Sequence, residues 1–439
     1  MDSGYSWVIL TAAFIVYGIV FGMSCAFGVY FVVFLEEFQS SRQVVATVGG
    51  LSLAMISIAG PGGDFLYRKL GPRITVIVAG LVSSIGYFMN YYANSIEQLT
   101  VFYAIIGAGM GLTVVPTLTI QSFYFRRFAK LAIGLVPMGA AIGLFIFPPL
   151  FHYIIKKFGW RGSMLINAGV TLQIIICGAL LRLPPNKNLS SAVSTQTDGH
   201  EKRQRSKKWA VRLLQSAKRT FSDPLMVLFF LTCFGYAGNT CVYYPFINDL
   251  AIRNTGLPPG DTVLILVVCG VADCIARLLG AIFAQLPKVS EKWVYAVAHF
   301  IYGSSTILSA FCVNLTQFYV AAAGFGFGFG LMISTFAVLA SHLFGYQRMS
   351  TAIGFGNLFA GIAAIILPQL GGYLSDKLDQ RYAFYVAGTH SMCFGGICSL
   401  LIVLLRWRRK KSAEKIDQDQ QALNPKPTTE RECATTENL

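Results

Sequence analysis

Charge is scarce in this sequence. Of its 439 residues 13% are Asp, Glu, Lys or Arg, while 54% are hydrophobic. A soluble domain carries about a quarter charged residues, so this chain has too few polar side chains to cover a water-facing exterior. Metal-ligand spacing is missing as well. Nine of the ten cysteines lie in apolar segments, where a thiol acts as a small hydrophobe, and Cys433 lies in a polar end segment. Neither a metal site nor a disulfide framework is expected. No nucleophile–base set occurs in the apolar runs, which argues against an enzyme, and nothing calls for a cofactor. A cleavable signal peptide is not evident: the first apolar stretch runs far past the core of one and reads as a membrane span.

What the chain does have is glycine, phenylalanine and long apolar runs. Its 43 Gly and 34 Phe suit helices that pack closely within lipid. A helix needs about 20 apolar residues to cross the hydrocarbon. Twelve runs reach that length, at 7–34, 44–64, 74–93, 98–120, 131–155, 163–183, 224–247, 262–286, 293–313, 316–340, 351–374 and 383–405. The expectation is an all-α multipass membrane protein. Residues 1–183 and 223–405 each form a six-helix bundle, 184–222 is a basic linker, and 406–439 is a disordered tail.

The formal charge of +15 concentrates in the linker and the tail. Residues 184–220 hold nine basic residues against Asp198 and Glu201, and residues 406–415 hold six against Glu414. Both pieces abut apolar runs and neither has the apolar residues to fold alone. They read as positive-inside segments facing the cytoplasm, not as a nucleic-acid face. Short loops carrying Arg68, Lys69 and Arg73, then Arg126, Arg127 and Lys130, then Lys288 and Lys292, fall on the same side. Both termini are therefore expected inside, and the lipid bilayer is the first partner.

The halves repeat. A shift of 220 residues aligns "LAIGLVPMGAAIGLFIFPPLF" with "TAIGFGNLFAGIAAIILPQLG", pairing Gly134 with Gly354 and Pro148 with Pro368, and it also pairs Gly50 with Gly270. Parallel six-span repeats place a substrate path at their interface. Two glycine ladders, "GAGMG" at 107–111 and "GFGFGFG" at 324–330, lie inside runs 4 and 10. Without a preceding strand they indicate tight helix packing, not nucleotide binding.

Run 8 contains the sharpest feature, "DCIAR". Asp273 and Arg277 are four residues apart on one helical face. Each charge at mid-membrane opposes insertion by roughly 2.5–3.5 kcal/mol, so intramembrane ionisable residues default to function. A guanidinium offers a two-pronged grip on a carboxylate. Arg277 is the candidate anchor for a small carboxylate. Asp273 is its partner when the site is empty, and a proton on Asp273 would free Arg277 for cargo. Asn239, in a glycine-bordered stretch, and Tyr30 and Phe31 in run 1 are further candidates to line the path. Asp64 and Arg68 form an i,i+4 pair at the end of run 2, read as a gate or interface anchor. His299, Asn90, Gln121 and Asn357 are weaker candidates, as proton site or as helix–helix joints.

Three local patterns resemble the monocarboxylate transporters of the major facilitator superfamily. "DSGYSW" opens the chain, with Asp2, Gly4 and Trp7 matching that family's entry to span 1. "YFRRFAKLAIG" is similar to its signature before span 5 through Tyr124, Phe125, Arg127 and Gly134, continued by Gly139 and Gly143. The spacing of Pro368, Gly372, Leu374 and Asp376 in run 11 also fits. The resemblance implies the major facilitator fold and a plasma-membrane carrier that alternates access to a central site. It also implies a possible single-span immunoglobulin-type glycoprotein as chaperone. Lactate-carrying members use an Asp/Arg pair in span 8 that Asp273 and Arg277 match. They also carry a span-1 lysine after Ala-Phe-Pro, whereas "AFGVYFVVF" has Gly28 and Val29 there and run 1 has no basic residue. That departure weighs against proton-linked lactate transport and toward amino acids, carnitine, creatine or larger organic acids. A non-transporting sensor on the same fold is the remaining alternative.

Overall fold

Apolar runs this long leave the backbone no water to bond, so each must satisfy its own N–H and C=O groups. In the computed structural model, which describes residues 4–125, 132, 134–182, 222–283, 290–408 and 411, every described element is accordingly helical. Asp2, Arg127, nearly all of the 184–222 linker and the tail beyond 411 lie outside the described residues.

The helices are α1 (Gly4–Phe38), α2 (Arg42–Asn90), α3 (Ile96–Thr119), α4 (Met138–Leu180) and α5 (Pro224–Thr255). They continue with α6 (Pro259–Phe283), α7 (Glu291–Ser309), α8 (Leu315–Lys377) and α9 (Arg381–Arg408). Side chains start several of them. Ser41 accepts from the Val44 N–H, Ser95 from Gln98 and Asp223 from Leu225, and Asn314 with Gln317 forms a capping box.

Nine helical segments among the described residues are long and apolar enough to cross a membrane, against the twelve runs expected. Runs 2 and 3 share α2 and runs 5 and 6 share α4, because the intervening loops are helical except at one glycine each. Run 9 forms α7, whose Glu291, Lys292, His299 and four Ser and Thr side chains keep its apolarity low.

Those single-residue breaks are the sharpest local feature of the fold. Gly71 (φ 84°, ψ 169°), Gly159 (φ 70°, ψ 171°) and Gly345 (φ 70°, ψ 164°) interrupt α2, α4 and α8. This backbone region is open essentially to glycine alone. The chain reverses there without a loop.

Elsewhere glycine removes bulk. A Cβ at Gly139 would overlap the Phe14 carbonyl, and one at Gly22 would stand 2.5 Å from the Gly143 Cα, so α1 and α4 touch backbone to backbone. The contact falls on a π-helical turn of α1, Gly18–Gly22. The two ladders do the packing expected of them. Gly109 meets Ser83 and Ala79 while Gly328 meets Tyr302 and Ala298, and each pair of counterparts is 219 residues apart. The repeat is thus present in the helix contacts.

Because the breaks need glycine for backbone reasons, Gly71→Ala, Gly159→Ala and Gly345→Ala should each be destabilising by about 1–3 kcal/mol. Gly169, helical and with open space around it, is the control. Thermal unfolding in detergent should show three lowered midpoints and an unchanged or raised one for Gly169→Ala. Equal midpoints for all four would refute this account of the breaks.

Candidate functional site

Asp273 and Arg277 sit on α6 and are 2% and 5% exposed, so the helix buries both charges. The i,i+4 spacing closes a two-pronged ion pair. Arg277 Nε donates to Asp273 Oδ1 at 2.8 Å and Nη2 donates to Oδ2 at 3.0 Å. The remaining prong, Nη1, donates to the Pro137 carbonyl at 3.1 Å, across the boundary between the two halves of the chain. The guanidinium also stands 5.7 Å from the Phe329 ring centre, where a cation is favoured. Phe329 stacks on Tyr302 and meets Tyr244 edge-on, so one side of the pair is an aromatic wall.

The glycine ladder of α8 shapes this site. A Cβ at Gly330 would stand 2.7 Å from Asp273 Oδ1 and 2.5 Å from its carbonyl oxygen. The carboxylate therefore lies in a notch only glycine leaves open. In the first half Gly111 packs on Ile56 and Ala59 as Gly330 packs on Asp273 and Ala276. The contacted residues are 217 apart, not the 220 of the sequence alignment. In that register Ile56 is the counterpart of Asp273 and Gly60 of Arg277. The charged pair belongs to one half alone.

The other candidate residues are engaged elsewhere. Asn239 of α5 donates to Thr306 of α7 at 3.0 Å and is fully buried. The Tyr30 hydroxyl bonds Ser163 closely and accepts from Asn167 at 2.7 Å. Phe31 packs on Phe246 with ring centres 4.8 Å apart, joining α1 to α5. At Gly28, beside it, a side chain would run into the Tyr244 carbonyl. Asp64 and Arg68 form their expected pair at 2.8 Å, each 39% exposed.

Two of the sequence patterns touch each other. Trp7 meets Phe125 edge-on at 5.5 Å and Tyr5 meets Tyr124 at 5.9 Å. The Tyr5 and Tyr124 hydroxyls donate to the carbonyls of Leu180 and Arg182. Gly4, at the start of this cluster, and Gly134 have open space where a Cβ would go.

A second polar cluster, unforeseen from sequence, lies at the end of the molecule away from Gly4 and Arg408. Arg42, at the start of α2, pairs with Asp249 of α5 at 2.7 Å and with Asp376 of α8 at 3.5 Å. Asp376 accepts the Arg42 and Gln43 backbone N–H groups, both at 3.1 Å, and so caps α2 from another helix. Gln380 donates to Asp249 at 2.8 Å. Pro368, Gly372 and Asp376, spaced by one helical turn each, all face α2 through Gly50, Gln43 and Arg42. That explains the spacing in run 11. Among the described residues no ion pair ties the two halves at the opposite end.

Removing one member of a partly buried network strands the others. A double-mutant cycle on Arg42→Ala and Asp249→Ala should therefore give a coupling of at least about 1 kcal/mol in thermal unfolding. Strict additivity would mean that the lock is not a lock.

The chain matches the Major Facilitator Superfamily profile over residues 9–288 and 242–433. It is 27% identical to monocarboxylate transporter 13 of Rattus norvegicus, across 90% of this chain and 89% of that protein. It is 27% identical to monocarboxylate transporter 14 of Homo sapiens, across 92% and 91%. Against monocarboxylate transporter 2 of Mesocricetus auratus the identity is 26%, across 98% and 91%. These are transporters and not enzymes, and a multipass membrane chain is what their family requires. With helices that run the length of a bilayer and a buried charge pair between its halves, this chain belongs to the major facilitator superfamily.

Proposed function

We propose that this protein carries small organic monocarboxylates across the plasma membrane by alternating access, with both termini in the cytoplasm. The reading counts twelve spans as two bundles of six. The breaks at Gly71 and Gly159 divide α2 and α4, the break at Gly345 divides α8, and α7 supplies the remaining helix. In this orientation the Arg42 lock closes the outer end.

The observation that carries the reading is the buried Arg277–Asp273 pair. A guanidinium held by one carboxylate can exchange it for another of the same geometry, namely the cargo's. Once a proton reaches Asp273, its hold weakens and Arg277 is free to take the anion. Cargo and proton then cross as a neutral pair, which the hydrocarbon tolerates far better than either charge alone. The aromatic wall of Phe329, Tyr302 and Tyr244 suits an apolar cargo body. The family names of the relatives point to the same class of cargo.

A second reading rests on Val29. The span-1 position where lactate carriers have lysine is here a buried valine, 6% exposed. That favours a cargo bringing its own positive charge, of the amino-acid, carnitine or creatine type, moved without a proton.

The test is initial uptake of a labelled carboxylate panel into vesicles at two external pH values. Arg277→Ala should lower uptake at least about tenfold, and Arg277→Lys should restore only part of it. Uptake stimulated by external acid supports the proton-linked form, and pH-independent uptake of zwitterions supports the second. Uptake undiminished in Arg277→Ala would overturn both.

A further inference from the structure

Between α1, α4, α5 and α6, at the end that carries the Arg42 lock, lies an open cleft with a cavity of about 70 Å³. Val29, Val32 and Val33 make its α1 wall, and its polar groups are Glu36, His152, Asn248 and Thr262, whose hydroxyl donates to the Pro259 carbonyl. Asn248 is 2% exposed, yet neither its carboxamide nitrogen nor its oxygen has a partner among the described residues. Buried amides are ordinarily satisfied, so one that is not, on the wall of a cleft, awaits something.

The charges around the cleft are unevenly matched. Arg161 is drawn to Glu37 at 3.9 Å, and Asp249 is held by Arg42 and, at 3.4 Å, by Arg253. Glu36 forms no ion pair among the described residues and stays exposed. Lys156, one turn beyond His152, makes no ion pair with it. The cleft thus presents a carboxylate, a carboxamide whose oxygen and N–H groups are both unpartnered, and an imidazole. The carboxylate and the amide oxygen are acceptors beside apolar walls, and the amide N–H groups are donors. An anion is repelled here, whereas an ammonium group with its three donors and an organic body is complementary.

We propose that this cleft is a binding site for the ammonium group of a soluble organic amine or zwitterion, held by Glu36 and Asn248. It is separate from Arg277. Fourteen residues of α6 between Val263 and Arg277 span about 21 Å. As a step in transport the inference rests on the second reading above: a zwitterion meets Glu36 with its ammonium before its carboxylate reaches Arg277. As a binding site it stands on the cleft alone.

The test is equilibrium binding of labelled 2-phenylethylamine, which has no carboxylate, to the purified full chain in phosphatidylcholine nanodiscs. Wild type should bind it saturably, Glu36→Gln should raise Kd at least tenfold, and Asn248→Leu should weaken binding as well. Arg277→Ala should leave it unchanged. Glu36 is exposed, so Glu36→Gln should keep the wild-type melting midpoint and report on binding alone. Absence of saturable binding, or a Kd unmoved by Glu36→Gln, overturns the proposal. Binding abolished by phosphatidylethanolamine in the disc also overturns it, because the occupant is then a lipid headgroup. Failure of carboxylate uptake with amine binding intact would sink the carrier reading only, and the converse would sink this one only.

Discussion

A guanidinium in the interior of a bilayer is unstable without an answering charge, and most of this molecule is arranged around that fact. Arg277 is answered by a carboxylate one helical turn away, on both prongs, and by a carbonyl from the other half of the chain. Because two of these bonds are local to α6 and one is not, the pair is secure within its own helix. Its tie to the other half is a single hydrogen bond. Of the pair's own bonds, only the Pro137 contact crosses to the other half.

The surroundings follow from the same constraint. For Asp273 to sit flush against α8, the neighbouring helix must have no side chain there, and Gly330 provides the notch. Equivalent glycine contacts in the first half meet Ile56 and need no charge compensation. A doubled scaffold therefore carries one chemical site. At the far end the halves are joined more strongly, by Arg42 with Asp249, Asp376 and the exposed N–H groups of α2. The described residues thus join the halves by several polar contacts at the Arg42 end and by one hydrogen bond at Arg277.

Much of this was legible in the residues. Run lengths located the helices, and i,i+4 spacing located the pair. The absence of strands around the glycine ladders identified them as packing surfaces. Less legible was the form of the turns: the charged stretches around Gly71 and Gly159 are helical except at one glycine each, so two runs share one helix. The repeat register is uniform in the sequence alignment but differs from helix to helix in the structure. Residue identity at a shift of 220 matches glycines, but contacts reveal 217 on one helix and 219 on its neighbour. The lock was invisible for a different reason. Arg42 and Asp249 are unremarkable at helix ends, Asp376 stands out only by its spacing in run 11, and only the fold brings Arg42 to partners more than 200 positions away. Asn239 illustrates the opposite error of emphasis: glycine neighbours suggested open space, and that space is taken up by α9 and α8.

The central claim is that Asp273 and a cargo carboxylate compete for Arg277. Equilibrium binding of a transported carboxylate to the purified Asp273→Asn protein tests it most directly, since asparagine keeps the shape and removes the competing charge. The account predicts tighter binding than wild type, lost again when Arg277→Ala is added. Binding weaker than wild type in a folded Asp273→Asn protein would contradict it.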